Sequence, residues 1–82
     1  AFSVYPNPTN GSVYLNINER IAEVELSVKD VVGKEVKTIN VNQKSQGSTI
    51  TIDLSNLGNG TYFLSIITAG SERIIPIIVT DR

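Results

Sequence analysis

The sequence predicts an all-β domain, an immunoglobulin-like antiparallel β-sandwich of about seven short strands with Greek-key connections. Eleven Ile, nine Val and seven Thr make up about a third of the 82 residues, and β-branched side chains fit the pleated surface of a sheet. Good helix formers are scarce, with three Ala and five Leu, and no helical periodicity is present. Short apolar stretches are instead separated by turn residues, a pattern typical of a sandwich. A partly open barrel is the alternative architecture.

A proline-rich segment separates the first two predicted strands. Residues 2–5 form a short apolar stretch that ends at Pro6-Asn7-Pro8, because proline lacks the amide hydrogen that a β-ladder requires. Asn10-Gly11 is a strong turn signal, and positive φ or close packing is expected at Gly11. Apolar and polar residues then alternate over residues 13–18, which predicts a strand with one buried face.

The next two strands are predicted to form a hairpin. Residues 23–28 alternate cleanly, and Asp30 is followed three residues later by a glycine. This spacing fits a type I turn closed by a glycine of positive φ. The fourth strand is predicted over residues 36–41. Its apolar phase slips between Val36 and Ile39, which predicts a β-bulge there.

The last three strands differ in the faces that they bury. The polar residues 42–47 predict a loop, and the alternation over 49–54 predicts a strand with one solvent-exposed face. Residues 61–68 carry apolar side chains on both sides, which indicates a central strand. Residues 73–80 form the final strand, and Pro76 within it removes one ladder donor. The final strand is therefore predicted at a sheet edge, or interrupted by a bulge.

The composition excludes most kinds of active site. The chain has no Cys, His, Met or Trp, so neither a disulfide nor a conventional Ser-His-Asp or Cys-His site can be built. Its formal net charge of −1 argues against binding to a nucleic-acid backbone. The three aspartates do not form an Asp-x-Asp-x-Asp-Gly calcium loop. We therefore predict no catalytic residue, no metal site and no cofactor.

Two further motifs have local structural explanations. Leu57 to Tyr62 read Leu-x-x-Gly-x-Tyr at the entry to the sixth strand, which resembles the tyrosine corner of Greek-key sandwiches. There the phenol hydroxyl bonds to the backbone a few residues upstream. Asn10-Gly11-Ser12 and Asn59-Gly60-Thr61 match the N-glycosylation sequon. Asn-Gly is also a common turn dipeptide, and we favour that interpretation.

The last strand is the feature that packing alone explains least well. Five large aliphatic side chains cover both of its faces within seven positions. It is either buried on both sides or offered to another protein as a sheet edge, because an unpaired edge is a template for strand addition. An open edge would also allow two copies of the domain to dimerise.

Five segments follow one another in an order and spacing that resembles the type A C-terminal sorting domain of the bacterial type IX secretion system. They are residues 5–11, 28–36, 53–57, 60–64 and 73–79. The resemblance identifies as motif and turn residues Pro6, Asn7, Pro8, Gly11, Asp30, Gly33, Lys34, Gly60, Tyr62 and Phe63. It identifies as translocon-recognition residues Ile74, Ile75, Ile77, Ile78, Val79 and Arg82.

The resemblance implies a secretion signal and no catalysis. Residues 1–82 would be a single C-terminal sorting domain, excised from a larger secreted protein whose N-terminal cargo precedes it. The partners would be the type IX translocon, its outer-membrane shuttle protein and a sortase-like cysteine protease that removes the domain. The precursor would cross the periplasm and finish at the outer-membrane surface or outside the cell. No nucleic acid is implied, nor any direct insertion into the membrane.

The sequence departs from the family pattern at its end, and a second function remains open. Pro76 stands where the family usually has Lys or another polar residue. The family also tends to have a basic residue just after the aliphatic run, whereas here Thr80-Asp81 precede Arg82. The alternative is an extracellular accessory module of a secreted enzyme, acting as a spacer or binding carbohydrate through Tyr5 or Tyr14. A single tyrosine on an exposed strand face is more often explained by cross-strand packing.

Overall fold

The computed structural model describes residues 2–17, 21–44 and 48–80, and these residues form seven strands. The strands are β1 (Phe2–Tyr5), β2 (Ser12–Ile17), β3 (Ile21–Lys29), β4 (Glu35–Lys44), β5 (Ser48–Asp53), β6 (Gly60–Thr68) and β7 (Ser71–Val79). Within these ranges no helix is long and apolar enough to cross a bilayer. The predicted all-β class and the number of strands are therefore confirmed.

The strands form two antiparallel sheets. One sheet has the order β1-β2-β5 and the other β4-β3-β6-β7. The predicted central strand is confirmed, because β6 lies between β3 and β7. The final strand lies at a sheet edge, as Pro76 predicted, and its pairing with β6 runs without a register shift. Two separate sheets are consistent with the predicted sandwich; its immunoglobulin-like and Greek-key details stay predictions.

The core consists of the alternating apolar residues of both sheets. Val13, Leu15 and Ile17 on β2 are fully buried, as the alternation of this strand predicts. The same alternation on the other strands supplies the rest of the buried apolar residues: Val24, Leu26, Val28, Ile50, Ile52, Leu54, Leu64, Ile66, Ile77 and Val79. The faces that the sequence assigns to the interior on β2, β3 and β5 therefore meet in one cluster with one face of β6 and one face of β7.

The turn between β3 and β4 has the predicted form. The backbone N–H of Gly33 donates to the carbonyl of Asp30 at 3.0 Å, and Gly33 has a φ of 90°. The Asp30 carboxylate adds two bonds, because its Oδ1 accepts from the N–H of Val32 at 3.1 Å and of Lys34 at 2.9 Å. Asp30 therefore organises the turn through both its main chain and its side chain.

The structure confirms the β-bulge that the sequence predicts in β4. The β3–β4 register shifts between Val28 and Lys29, whose partners are Lys37 and Glu35, so the irregular residue is Val36 and pairing is regular onward from Lys37. The bulge therefore lies at Val36, the turn end of the predicted interval.

The loop predicted over 42–47 is wrong at its start, because β4 continues to Lys44. Backbone pairing with β3 does not require apolar side chains, and residues 45–47 lie outside the described residues.

The expectation of positive φ or close packing at Gly11 is wrong. Gly11 has no positive φ, and a Cβ placed on it would meet no atom within 4 Å. The turn is organised by Thr9, whose hydroxyl donates to the carbonyl of Ser12 at 2.6 Å and accepts from the N–H of Gly11 at 3.1 Å. A hydroxyl that bonds to nearby backbone removes the need for a left-handed residue at this turn.

Candidate recognition surface on the last strand

Alternation along β7 divides the predicted recognition residues between two faces. Ile77 and Val79 are buried in the core, and Ile75 packs against it from a partly buried position. Ile74 and Ile78 point to the other side and are 59% and 47% exposed. Arg82 lies outside the described residues. The folded domain therefore presents to a partner only two of the five aliphatic side chains in this motif.

The exposed side chains form an apolar surface on the outer face of the four-stranded sheet. Ile74, Pro76 and Ile78 lie two residues apart on β7, and we call these three residues the outer stripe. On β6, Phe63 lies directly opposite Pro76 and is half-buried. Ile67, further along β6, is 38% exposed. Neighbouring strands are about 4.8 Å apart, so the stripe and Phe63 form an apolar patch, and Ser65 lies between Phe63 and Ile67 on β6.

A buried polar contact borders this patch. Ser65 lies opposite Ile74 and is only 3% exposed, although it is on the outer face of the sheet. Its hydroxyl donates to Oε2 of Glu72 at 2.7 Å. The bond to Glu72 satisfies the hydrogen-bonding capacity of this buried hydroxyl.

The segment between β1 and β2 lies along the free edge of β7. Nδ2 of Asn7 donates to the carbonyl of Pro76 at 2.9 Å, and Oδ1 of Asn7 accepts from the N–H of Ile78 at 3.0 Å. The N–H of Thr9 donates to the carbonyl of Ile78 at 2.9 Å, and the N–H of Thr80 donates to the carbonyl of Thr9 at 2.9 Å. We call these four bonds the Asn7 clasp. Sequence reasoning identified the motif but missed this role, because its partners lie about seventy residues away.

The clasp also explains why Pro76 is compatible with the strand. The carbonyl of Pro76 and both backbone groups of Ile78 point away from β6, since they bond to the clasp. In an antiparallel pair alternate residues face outward, so the ring nitrogen of Pro76 also lies on the outward side. The pairing with β6 therefore loses no bond at Pro76, which is the usual condition for proline in an edge strand.

The remaining motif residues lie at the end of the domain where β7 finishes. Gly60, with a φ of 149°, pairs with Val79 at the start of β6. The Tyr62 hydroxyl donates to the carbonyl of Gly58 at 2.8 Å, which is the bond that the tyrosine corner predicts. At the tip of the neighbouring hairpin, Val31 and Val32 are 70% and 83% exposed. The turn and the terminal motif therefore share one end of the sandwich.

The tyrosines considered for sugar binding face each other across two strands. Tyr5 pairs with Tyr14 in the β1–β2 register, and their ring centroids are 5.8 Å apart with a 40° angle between the planes. Tilted rings at this distance are typical of cross-strand packing. Both rings are nevertheless partly exposed, at 47% and 38%.

The acidic side chains have local structural roles. A hydrogen bond from the Ser55 side chain, together with one from its backbone N–H, lowers the pKa of Asp53 below its ordinary value of 3.8. Across the described part of the chain, no three Asp or Glu side chains come close enough together to hold a metal ion. Asp53 therefore stabilises the exit from β5, as Asp30 stabilises its own turn.

These features define a small all-β domain with an apolar strand face open to a partner, as expected of a recognition module. A family model described as the secretion system C-terminal sorting domain matches residues 3–80. The chain belongs to this family, and it is a C-terminal sorting domain of the type IX secretion system. A search of the curated proteins returned no match. Membership implies a secreted protein exported to the cell surface or exterior.

Proposed function

We propose that residues 1–82 act as a non-catalytic secretion signal that the type IX outer-membrane translocon recognises in its folded state. The observation that carries the proposal is the family match over residues 3–80. The cargo precedes the domain in its precursor, and the shuttle protein and a sortase-like protease act after the translocon. Transit through the periplasm and removal of the domain belong to the same proposal.

The outer stripe is the surface that we propose the translocon contacts. Ile74 and Ile78 are exposed while Ile77 and Val79 are in the core, so a partner that binds the folded domain meets only the first pair. Burial of two half-exposed isoleucines beside Phe63 would contribute a few kcal/mol to binding, at roughly 25 cal/mol per Å² of apolar surface. The core residues would contribute indirectly, since they hold the strand in place.

The positions of Phe2 and Thr80 in the fold fit this arrangement. β1 begins at Phe2, which pairs with Ile17 at one end of β2, whereas Thr9 contacts Ile78 and Thr80 beyond the other end. Phe2 and Thr80 therefore lie at opposite ends of a domain whose longest extent is 34 Å. Cargo attached before residue 1 would leave the turn and the terminal motif accessible.

The test is a reporter fused in front of residues 1–82 and expressed with a signal peptide in a type IX-competent strain. The variant Ile74→Thr/Ile78→Thr makes the outer stripe polar but keeps two β-branched side chains on the strand. Its matched control is Val31→Thr/Val32→Thr, which makes the same kind of change at the most exposed apolar pair. We expect surface display of the reporter to fall for the stripe variant and to persist for the control.

Three outcomes would contradict the proposal in different ways. Equal display of the stripe variant and the unaltered domain would exclude the outer stripe as the recognised surface. Loss of display in the turn control alone would move recognition to the β3–β4 turn. If the unaltered domain does not direct display, the accessory-module function is favoured. Binding to a polysaccharide that depends on Tyr5 and Tyr14 would then support that function.

A further inference from the structure

The Asn7 carboxamide makes the two bonds that a main-chain peptide unit would make if the segment continued as a strand beside β7. Thr9 makes an isolated parallel bridge to Val79, with bonds to Ile78 and Thr80. If this parallel ladder continued by two residues, the main-chain N–H of residue 7 would donate to residue 76, and its carbonyl would accept from residue 78. The Asn7 carboxamide makes both of these bonds instead.

The Asn7 side chain is suited to take the place of a peptide unit. A carboxamide has the same donor and acceptor groups as a peptide unit. Pro6 and Pro8 on either side of Asn7 have no N–H, so the only main-chain donor between Tyr5 and Thr9 is that of Asn7 itself. The carboxamide extends the bonding pattern of the ladder by two residues beyond Thr9. Alanine could make neither bond, and an ionised aspartate could accept but not donate.

The clasp and Pro76 together close most of the β7 edge. By alternation, the outward-facing residues of β7 are Glu72, Ile74, Pro76 and Ile78. The clasp occupies the groups of Pro76 and Ile78, and Pro76 has no N–H in any case. Only Glu72 and Ile74 remain to pair with an added strand, which is a short length for strand addition.

We infer that Asn7 is a positioning residue that fixes the last strand for recognition and closes its edge to strand addition. A partner therefore reads the side chains of the outer stripe and does not pair with the backbone of β7. This inference rests on the proposed function for its link to export, but the clasp itself is tested separately. It also makes dimerisation through this edge unfavourable.

Amide exchange measured by NMR on the 82-residue chain tests the clasp without any substitution. We expect the Ile78 amide to be protected and the outward amide of Ile74 on the same strand to exchange much faster. In Asn7→Ala the Ile78 amide should exchange about tenfold faster or more, because two hydrogen bonds are lost together. Asn10→Ala removes an exposed amide of the same segment that makes none of the four bonds, and should leave Ile78 unchanged.

Asn7→Asp supplies a readout that a general loss of stability does not reproduce. At neutral pH the carboxylate still accepts from Ile78 but opposes the carbonyl oxygen of Pro76, so protection of Ile78 should fall. Below the ordinary Asp pKa of about 3.9 the protonated carboxyl can donate to Pro76. Protection of Ile78, relative to the unaltered chain at the same pH, should then return.

Several results would overturn the inference. The clasp is excluded if Ile78 and Ile74 exchange equally fast in the unaltered chain, or if Asn7→Ala leaves Ile78 protected. If Asn7→Ala fails to fold, the unaltered chain and the pH series of Asn7→Asp decide. In the reporter assay, the positioning role would be overturned if Asn7→Ala directed full surface display although the amide of Ile78 had lost its protection from exchange. No display from the unaltered domain would overturn the proposed function, and amide exchange would still test the clasp.

Discussion

Substituting two adjacent isoleucines separates folding from recognition. Ile77 is fully buried, whereas Ile78 is 47% exposed. Ile77→Ala removes three buried carbon groups, or about 2.4 kcal/mol at ~0.8 kcal/mol for each. The cavity that remains increases the cost to about 3–4 kcal/mol. Ile78→Ala removes the same groups from a half-exposed site and leaves no enclosed cavity, so its cost is about 1 kcal/mol.

These costs are large relative to the stability of a small domain. At ~0.05–0.15 kcal/mol per residue, an 82-residue chain has a total free energy of unfolding of about 4–12 kcal/mol. Each kcal/mol changes Tm by about 4–8 °C at this size. Ile77→Ala should therefore lower Tm by roughly 12–30 °C, and Ile78→Ala by about 4–8 °C.

The assay is thermal unfolding followed by circular dichroism, with the reporter fusion measured in parallel at a temperature where both variants are folded. Under that condition Ile78→Ala should reduce surface display, while Ile77→Ala should retain most of it. Similar Tm losses for the two variants would refute the assignment of β7 faces. Greater loss of display for folded Ile77→Ala than for Ile78→Ala would refute recognition through the outer stripe.

Three further substitutions and one titration test the turns. Gly33→Val should cost about 1–3 kcal/mol because of its positive φ, while Gly11→Ala should remain within about 0.5 kcal/mol; equal effects in urea denaturation would contradict the turn geometry. Tyr62→Phe removes the bond to Gly58 and should cost about 1 kcal/mol, and an unchanged urea midpoint would exclude a stabilising role. The Asp53 carboxyl should titrate below pH 3.8 by NMR. Its folded-state pKa is lowered, so its stabilising contribution is present above the unfolded pKa and is lost as pH falls through the folded value.

Alternation predicted the core because burial depends directly on local sequence. On β2 and β5, for example, an apolar residue at every second position identified the inward face, and Leu15 and Ile52 are fully buried. Local sequence also identified the edge position of β7, from Pro76, and the turn between β3 and β4, from Asp30. Each of these features depends on chemistry within a few residues, such as the missing N–H of proline or a carboxylate two positions from an amide.

The predictions failed where partners are distant or where side chains do not decide the structure. The length of β4 was underestimated because its last polar residues are held by backbone pairing with β3. The role of Asn7 depends on a strand 69 to 71 residues later, and a single sequence contains no signal for that pairing. A carboxamide between two prolines was the available clue, since such a segment has few main-chain N–H groups of its own.

The division of the terminal motif limits what a deletion of that motif can establish. Removing residues from Ile77 onward would delete two core side chains together with the exposed Ile78, so it would unfold the domain and remove the proposed contact in one step. An extended peptide signal would use Ile77 and Ile78 alike, because both side chains are accessible in an unfolded strand. A folded signal uses them differently. Unequal effects of the two substitutions on export, measured while both variants are folded, would therefore establish that the translocon reads the folded domain.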